Sequence, residues 1–259
     1  IAPPSLSFAA VVVPSAARRA PAFTMETRAD LEALANKCNP VLGFYDPLAL
    51  ASAVPASGFN EEQTIGFLRH AEIKHGRVAM AAFVGYIAQS NFHFPWDLQN
   101  GVSYASIAAA GGPPDQWDAM PTSAKLQILG FIGLLEFFGE KQSPHYMRGG
   151  KPGAYPKFAD TGVPHPMPLE LFAPFGLSKN ASPEKKERGL VAEINNGRLA
   201  QLGIFGFLAE SKVPGSVPLL SGIVKPYSGE VMAPFSSVDS SLPFVSEMLG
   251  YKLPIDPWY

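Results

Sequence analysis

The sequence predicts an all-α chain with three transmembrane helices, the first and third long and crossed by pseudo-twofold symmetry, plus short surface helices. Two observations carry this. The segment AEIKHGRVAMAAFVGY (Ala71–Tyr86) returns as AEINNGRLAQLGIFGF (Ala192–Phe207), with Glu72, Gly76, Arg77, Ala79 and Gly85 matched in order and spacing by Glu193, Gly197, Arg198, Ala200 and Gly206. Between the copies lies KLQILGFIGLLEFFGEK, apolar around nearly its whole circumference with acids only near its end. Strand alternation is weak throughout, and the connections are rich in proline and glycine.

The elements follow in order. Residues 1–24 are rich in Ala, Pro and Ser and carry Arg18 and Arg19 with no acid before Glu26. That is the composition of a targeting remnant or an extended arm, set apart from a single domain over 25–259. The first helix is expected from Glu61 to Ser90, where Asn60 precedes Glu61, Glu62 and Gln63 as a capped, acidic first turn. The second runs from Thr122 to Lys141 after Pro121. The third, Pro183 to Lys212, has Ser182 as cap and proline at its first position. Pro95, Ser143-Pro144 and Val213-Pro214-Gly215 mark the exits. Thirty residues at ~1.5 Å each span ~45 Å, more than the ~30 Å hydrocarbon core of a bilayer; the second helix is just long enough to cross. The extended tail over 213–259 has a short surface helix from Pro243 to Tyr251, where Phe244, Met248 and Leu249 share a face.

Composition narrows the function. The net charge of −2, without a Lys/Arg run, argues against nucleic acid. Charged residues are 16% of the chain, below the ~25% usual for soluble domains. The mean hydropathy of +0.08 reflects dilution by 26 prolines and 24 glycines. A lone Cys38 forbids an intrachain disulfide or a cysteine metal cluster. Phosphate-binding glycine loops and a Gly-x-Ser-x-Gly elbow are absent. His70 and His75 are five apart, the wrong spacing for a zinc-protease helix. No catalytic residue is expected. A soluble helical bundle is the competing fold, and the all-round apolarity of the middle helix argues against it.

The charged residues of the repeat are the main problem. At ~100° per residue, Glu72 and His75 share a face, whereas Arg77 is rotated ~140° from Glu72 and cannot pair with it on one helix. The same holds for Glu193, Asn196 and Arg198. A charge at the bilayer centre costs ~2.5–3.5 kcal/mol on the lenient scale. Two crossing helices resolve this by pairing Glu72 with Arg198 and Arg77 with Glu193. Gly76, Ala79, Gly85, Gly197, Ala200, Gly203 and Gly206 are the small residues such a crossing needs. A carboxylate so neutralised keeps a free oxygen for a metal that lacks one axial partner. His75 and Asn196, one turn along, add a neutral ligand per helix. Magnesium accepts oxygen donors, and in a chlorophyll it lacks only that axial partner. A purely structural ion-pair lock accounts for the glutamates and arginines, but not for His75 and Asn196.

GFYDPLAL (Gly43–Leu50), EIKHGR (Glu72–Arg77) and EINNGR (Glu193–Arg198) together resemble the light-harvesting chlorophyll-binding antenna superfamily, over about Gly43 to Lys212. The resemblance implies Glu72, His75, Glu193 and Asn196 as chlorophyll magnesium ligands, with Arg77 and Arg198 as crossed counter-ions. Gln127 and Glu136 match the ligand positions of the middle helix, with a spacing one residue different from the plant chlorophyll a/b branch. Glu210 stands where that branch has a glutamine ligand, with Lys212 as its nearest counter-charge. Asp46-Pro47-Leu48 matches a segment that holds a carotenoid end group; its second copy, Ala173-Pro174-Phe175-Gly176-Leu177, lacks the acid. No histidine follows His165, so the plant-type ligand of the C-terminal helix is missing. His93 and His145, past helix ends, are candidates for peripheral chlorophylls. Carotenoid grooves are expected beside Phe83, Tyr86, Phe205 and Phe207.

The tail KVPGSVPLLSGIVKPYSGEVMAPF and the phenylalanine-rich middle helix look like the chlorophyll a/c branch, peridinin-containing proteins first and fucoxanthin-containing ones the close alternative. The implied cofactors are chlorophyll a, chlorophyll c and carotenoids (peridinin or fucoxanthin, and a diadinoxanthin-type xanthophyll). The implied role is a multi-pass antenna subunit of the plastid thylakoid membrane, passing excitation to a photosystem core among neighbouring antenna subunits and thylakoid lipids. A photoprotective member of the family, or a pigment-free structural or transport membrane protein, are the alternative roles.

Overall fold

A computed structural model describes residues 26–52, 58–99, 101–156, 180–231 and 233–250. The arm over 1–24, the second carotenoid-type segment at Ala173–Leu177, His165 and the tail beyond Gly250 lie outside the described residues. The elements are α1 (Arg28–Cys38), α2 (Glu61–Asn91), a short antiparallel ribbon of β1 (Asp97–Gln99) and β2 (Val102–Ser103), α3 (Tyr104–Ala108), α4 (Pro113–Asp118), α5 (Thr122–Glu140), α6 (Pro183–Lys212) and α7 (Val245–Gly250). The three long helices stand where the sequence puts them. In α2 the Asn60 side chain accepts from the Gln63 amide at 2.8 Å, and Gln63 returns the bond to the Asn60 amide at 3.1 Å, closing a capping box. Ser182 caps α6 with Pro183 at the first position. Helix α1 was not anticipated; it carries its own Thr27–Asp30 capping box.

Helices α2 and α6 cross in direct backbone contact at their midpoints. A Cβ on Gly197 would lie 3.0 Å from the Gly76 Cα, and one on Gly76 3.1 Å from the Gly197 Cα. Ala79 and Ala200 are buried beside them. A Cβ on Gly203 would strike the Phe83 ring at 2.7 Å. Gly85 and Gly206 do not belong to this seam. The helices have diverged there, leaving nothing within 4 Å of a Cβ on Gly85 and only a Leu220 methyl at 4.0 Å from one on Gly206.

Among the described residues, no helix is long and apolar enough to cross a membrane. The expected three spans are therefore not carried by hydropathy alone: α2 is interrupted by Arg69, Glu72, Lys74 and Arg77, α6 by Glu193 and Arg198, and α5 by Lys125, Gln127 and Glu136. Large apolar side chains nonetheless face outward along all three helices, including Val78, Val84, Phe131, Phe137, Leu202 and Phe205. An apolar surface this extensive marks an interaction face, for protein or for membrane.

Helix α5 has only sparse contact with any other helix. It is fastened near its ends. At the N-terminal end, Lys125 and Asp239 are both wholly buried and paired at 2.6 Å. Thr122 donates to the other Asp239 oxygen at 2.6 Å, and Lys125 also donates to the Asp118 carbonyl at 3.1 Å. Ile107, Met120 and Ala124 form a small apolar core there with Leu98, Val102 and Trp117. The tail is thus folded back over the start of α5, and the expected surface helix is present as α7.

Burial alone would raise the Asp239 carboxyl; the bonds from Lys125, Thr122 and the Ser236 amide outweigh it and hold the group below its ordinary value. A depressed carboxyl stabilises the fold fully above its unfolded value of about 4 and loses that contribution only as pH falls through the lower folded value. Amide protection over 236–245, corrected for intrinsic exchange, is expected to be unchanged between pH 7 and pH 5 and to fall only below about pH 4.

Candidate functional site

The two crossed ion pairs are present. Arg198 Nε donates to Glu72 Oε1 at 2.7 Å, and Arg77 Nε donates to Glu193 Oε1 at 2.6 Å. Neither arginine reaches the glutamate of its own helix, as the helical angle requires. Arg77 also donates to the Gly153 carbonyl at 2.6 Å, which ties the connection after α5 to the crossing. Glu193 keeps Oε2 without a hydrogen-bond donor among the described residues. The first copy differs, because Arg69 donates to Glu72 Oε2 and also holds Glu26 at 3.3 Å. The sequence reading missed Arg69; its position three residues before Glu72 was the available signal.

His75 is exposed, and its Nδ1 lies 2.8 Å from the Ala71 carbonyl. A carbonyl only accepts, so Nδ1 carries the proton and Nε2 presents a lone pair outward. That is the tautomer an axial ligand needs. Asn196 is likewise exposed, with no protein partner among the described residues. Glu72, His75, Glu193 and Asn196 therefore lie around one crossing as separate oxygen or nitrogen donors. The described residues contain no cluster of three or more His, Cys, Asp or Glu side chains that could hold a metal ion.

On α5, Gln127 donates to the Ser123 carbonyl at 3.2 Å, leaving its amide oxygen outward. Glu136 is paired with Lys74 of α2 at 2.6 Å, a counter-charge that sequence reasoning did not find. Lys74 to Glu136 repeats the logic of the crossed pairs: an interhelical cation neutralises a glutamate and leaves one oxygen open. Lys74→Met is expected to remove whatever Glu136 ligates while costing about 1 kcal/mol or less of stability, since the pair is half exposed. Pigment analysis beside a thermal melt checks both parts.

Three further candidates, His145, Glu210 and Asp46, hold local backbone in this structure. Both His145 ring nitrogens are occupied: Nδ1 accepts from the Met147 amide at 3.2 Å and Nε2 lies 3.0 Å from Glu140. His145 thus caps the short turn over Tyr146–Arg148. Glu210 is buried, and its two oxygens accept from the Gly215 and Val217 amides, each at 2.8 Å. Lys212 is not its counter-charge, for it donates to the Ser228 and Gly229 carbonyls. Glu210 thus closes the loop after α6. Asp46 accepts from the Leu50 and Ala51 amides, both at 2.9 Å, so its carboxylate fixes the turn. His93 is exposed beyond the end of α2.

Phe207 stacks on Phe83 at 5.1 Å and on Tyr86 at 4.9 Å between ring centroids, so these three rings pack α2 against α6. Phe205 alone of the expected groove residues stands out into the surroundings. A cavity of about 640 Å³ lies between α1, the Leu42–Tyr45 loop and the Glu72–Arg198 pair, with Cys38 in its wall.

Known proteins resemble this chain over most of its length. The family model described as chlorophyll A-B binding protein matches residues 31–212. A chloroplastic fucoxanthin-chlorophyll a-c binding protein of Trieres chinensis is 31% identical over 230 residues, covering 83% of this chain and 98% of that one. Fucoxanthin-chlorophyll a-c binding protein F of Phaeodactylum tricornutum is 32% identical over 217 residues, covering 80% and 92%. Protein A of Macrocystis pyrifera is 30% identical over 184 residues, covering 71% and 74%.

Proposed function

This chain belongs to the chlorophyll A-B binding protein family, and from that premise we propose that it binds chlorophyll a, chlorophyll c and fucoxanthin in the thylakoid membrane. It is a light-harvesting antenna subunit of the plastid, in a family that holds pigments and catalyses no reaction. Fucoxanthin, carried in the names of these relatives, is favoured over peridinin; a diadinoxanthin-type xanthophyll is a further expected carotenoid.

The observation that carries the pigment reading is the loneliness of α5. An apolar helix fastened near its two ends, with Phe131 and Phe137 outward and nothing within 4 Å of a Cβ on Gly130 or Gly133, packs only sparsely against the described residues. Flat macrocycles and polyenes fill such space. The donor set among the described residues fits them: Glu193 has an open oxygen, His75 an outward lone pair, Asn196 a free amide group and Gln127 a free amide oxygen. Bound pigments supply absorption and transfer of excitation. The protein supplies single axial ligands, the neutralising cations and the spacing. We place α2, α5 and α6 in the bilayer because pairing offsets the charges that lower their hydropathy and because their outer faces are apolar. A photosystem core and neighbouring antenna subunits are the proposed acceptors of the energy.

Purification from native membranes in mild detergent, with an absorption spectrum and pigment analysis, tests the reading. Chlorophyll a, chlorophyll c and fucoxanthin bands are expected. A colourless protein would overturn it.

A further inference from the structure

The two copies of the repeat are not equivalent as ligand sites, and the residue that separates them is Arg69. We infer that Arg69 sets the strength of the pigment site at Glu72, acting through the glutamate as a positioning residue. This rests on the reading of Glu72 and Glu193 as ligands.

Both oxygens of Glu72 are engaged by guanidinium groups, Oε1 by Arg198 and Oε2 by Arg69. Among the described residues Glu193 has a single such partner, Arg77, on Oε1. The residue three before Glu193 is Leu190, which carries no charge and is 40% exposed. A carboxylate oxygen has two lone-pair directions, so Glu72 remains able to ligate. Its donated pair, however, comes from an oxygen already polarised by a charge-assisted hydrogen bond. It is the poorer donor of the two. The Arg69 side chain is held in this place, being 8% exposed and anchored on its other side by Glu26.

The local charges also balance differently. The second site is one arginine and one glutamate. The first is two arginines and two glutamates, and one of the glutamates, Glu26, belongs to the segment preceding α1. The site at Glu72 is thereby connected to the N-terminal part of the chain, whereas the site at Glu193 is connected through Arg77 to the loop carrying Gly153. One pigment position is thus tied to the residues just before α1, and its counterpart is tied to the loop after α5.

The repeat itself supplies the test, because each copy carries the other's natural control. Arg69→Leu gives the first copy the residue found at the matched position of the second. Glu72 then keeps Arg198 as its counter-ion and gains an open oxygen, and Glu26, partly exposed, is left to solvent. Leu190→Arg makes the reciprocal change. Both variants and the parent are reconstituted with chlorophyll a and carotenoid, and pigment loss is followed during detergent titration. Glu72→Leu and Glu193→Leu identify the absorption band of each site. Arg69→Leu is expected to slow loss of the Glu72 chlorophyll about tenfold and to shift its band, and Leu190→Arg to speed loss of the Glu193 chlorophyll by a similar factor. Unchanged or faster loss in Arg69→Leu would make Arg69 a structural counter-ion only and overturn the inference. A Glu72→Leu protein with its full chlorophyll content would overturn the ligand reading itself, and this inference with it.

Discussion

Gly197→Val is expected to prevent assembly of the pigment complex. A single Cβ at this position already lies 3.0 Å from the Gly76 Cα, and what it meets is helix backbone, which cannot rotate aside. Valine adds two more methyl groups. Overpacking of this kind costs about 1–3 kcal/mol in an ordinary core. Here the helices must also separate at the point that both ion pairs straddle, so Arg77–Glu193 and Arg198–Glu72 lengthen together. Summed over the seam, the loss is about 3 kcal/mol or more. Gly189→Val is the control, since it places the same β-branched residue on α6 where nothing stands within 4 Å of the Cβ. Reconstitution yield and circular dichroism in the visible region separate the two: near-complete loss for the first and near-parental yield for the second. Equal yields would mean that the helices do not meet at this seam.

Arg77→Leu has the other large effect. It leaves the Glu193 carboxylate without its cation and releases the Gly153 carbonyl. The pair is about a third exposed, so losing its cation costs less than the ~3–5 kcal/mol of a fully buried pair, mostly as the penalty on the charge left behind. Glu193 escapes that penalty by taking a proton, and a protonated carboxyl is a poor metal ligand. Stability and one chlorophyll are therefore expected to be lost together. Glu193→Gln combined with Arg77→Leu removes the stranded charge and is expected to recover much of the stability, with the amide oxygen available as a neutral ligand. A single variant that keeps its whole pigment complement would refute the pairing.

The crossing and its ion pairs were legible in the sequence because two independent constraints agree there. The repeat fixed which residues are equivalent, and the helical angle forbade pairing within a helix, so only the exchange between helices remained. The cations Arg69 and Lys74 were not legible. Neither recurs in the second copy, where Leu190 and Asn195 stand, so the symmetry that exposed Arg77 concealed them. The backbone bonds of Glu210 and His145 were not legible either, because their donors are loop amides beyond each helix exit, at Gly215, Val217 and Met147, whose positions no helical angle gives. Gly85 and Gly206 follow the small-residue pattern and still miss the seam, because helices that cross at an angle touch over only a turn or two. The lock between Lys125 and Asp239 joins residues far apart in the chain, and no periodicity announces such a contact.

The touching glycines have a mechanical consequence. Gly76 lies at the middle of α2 and Gly197 at the middle of α6, so the contact is a fulcrum with lever arms of about 22 Å on either side. A change of 5° in the crossing angle moves each helix tip by about 2 Å while leaving the pivot in place. Dipolar coupling between chromophores falls with the cube of their separation, so pigments ligated near the pivot keep their mutual coupling and those carried at the tips do not. Small residues at the fulcrum thus make the central pair the fixed reference of the array and its outer members the adjustable ones.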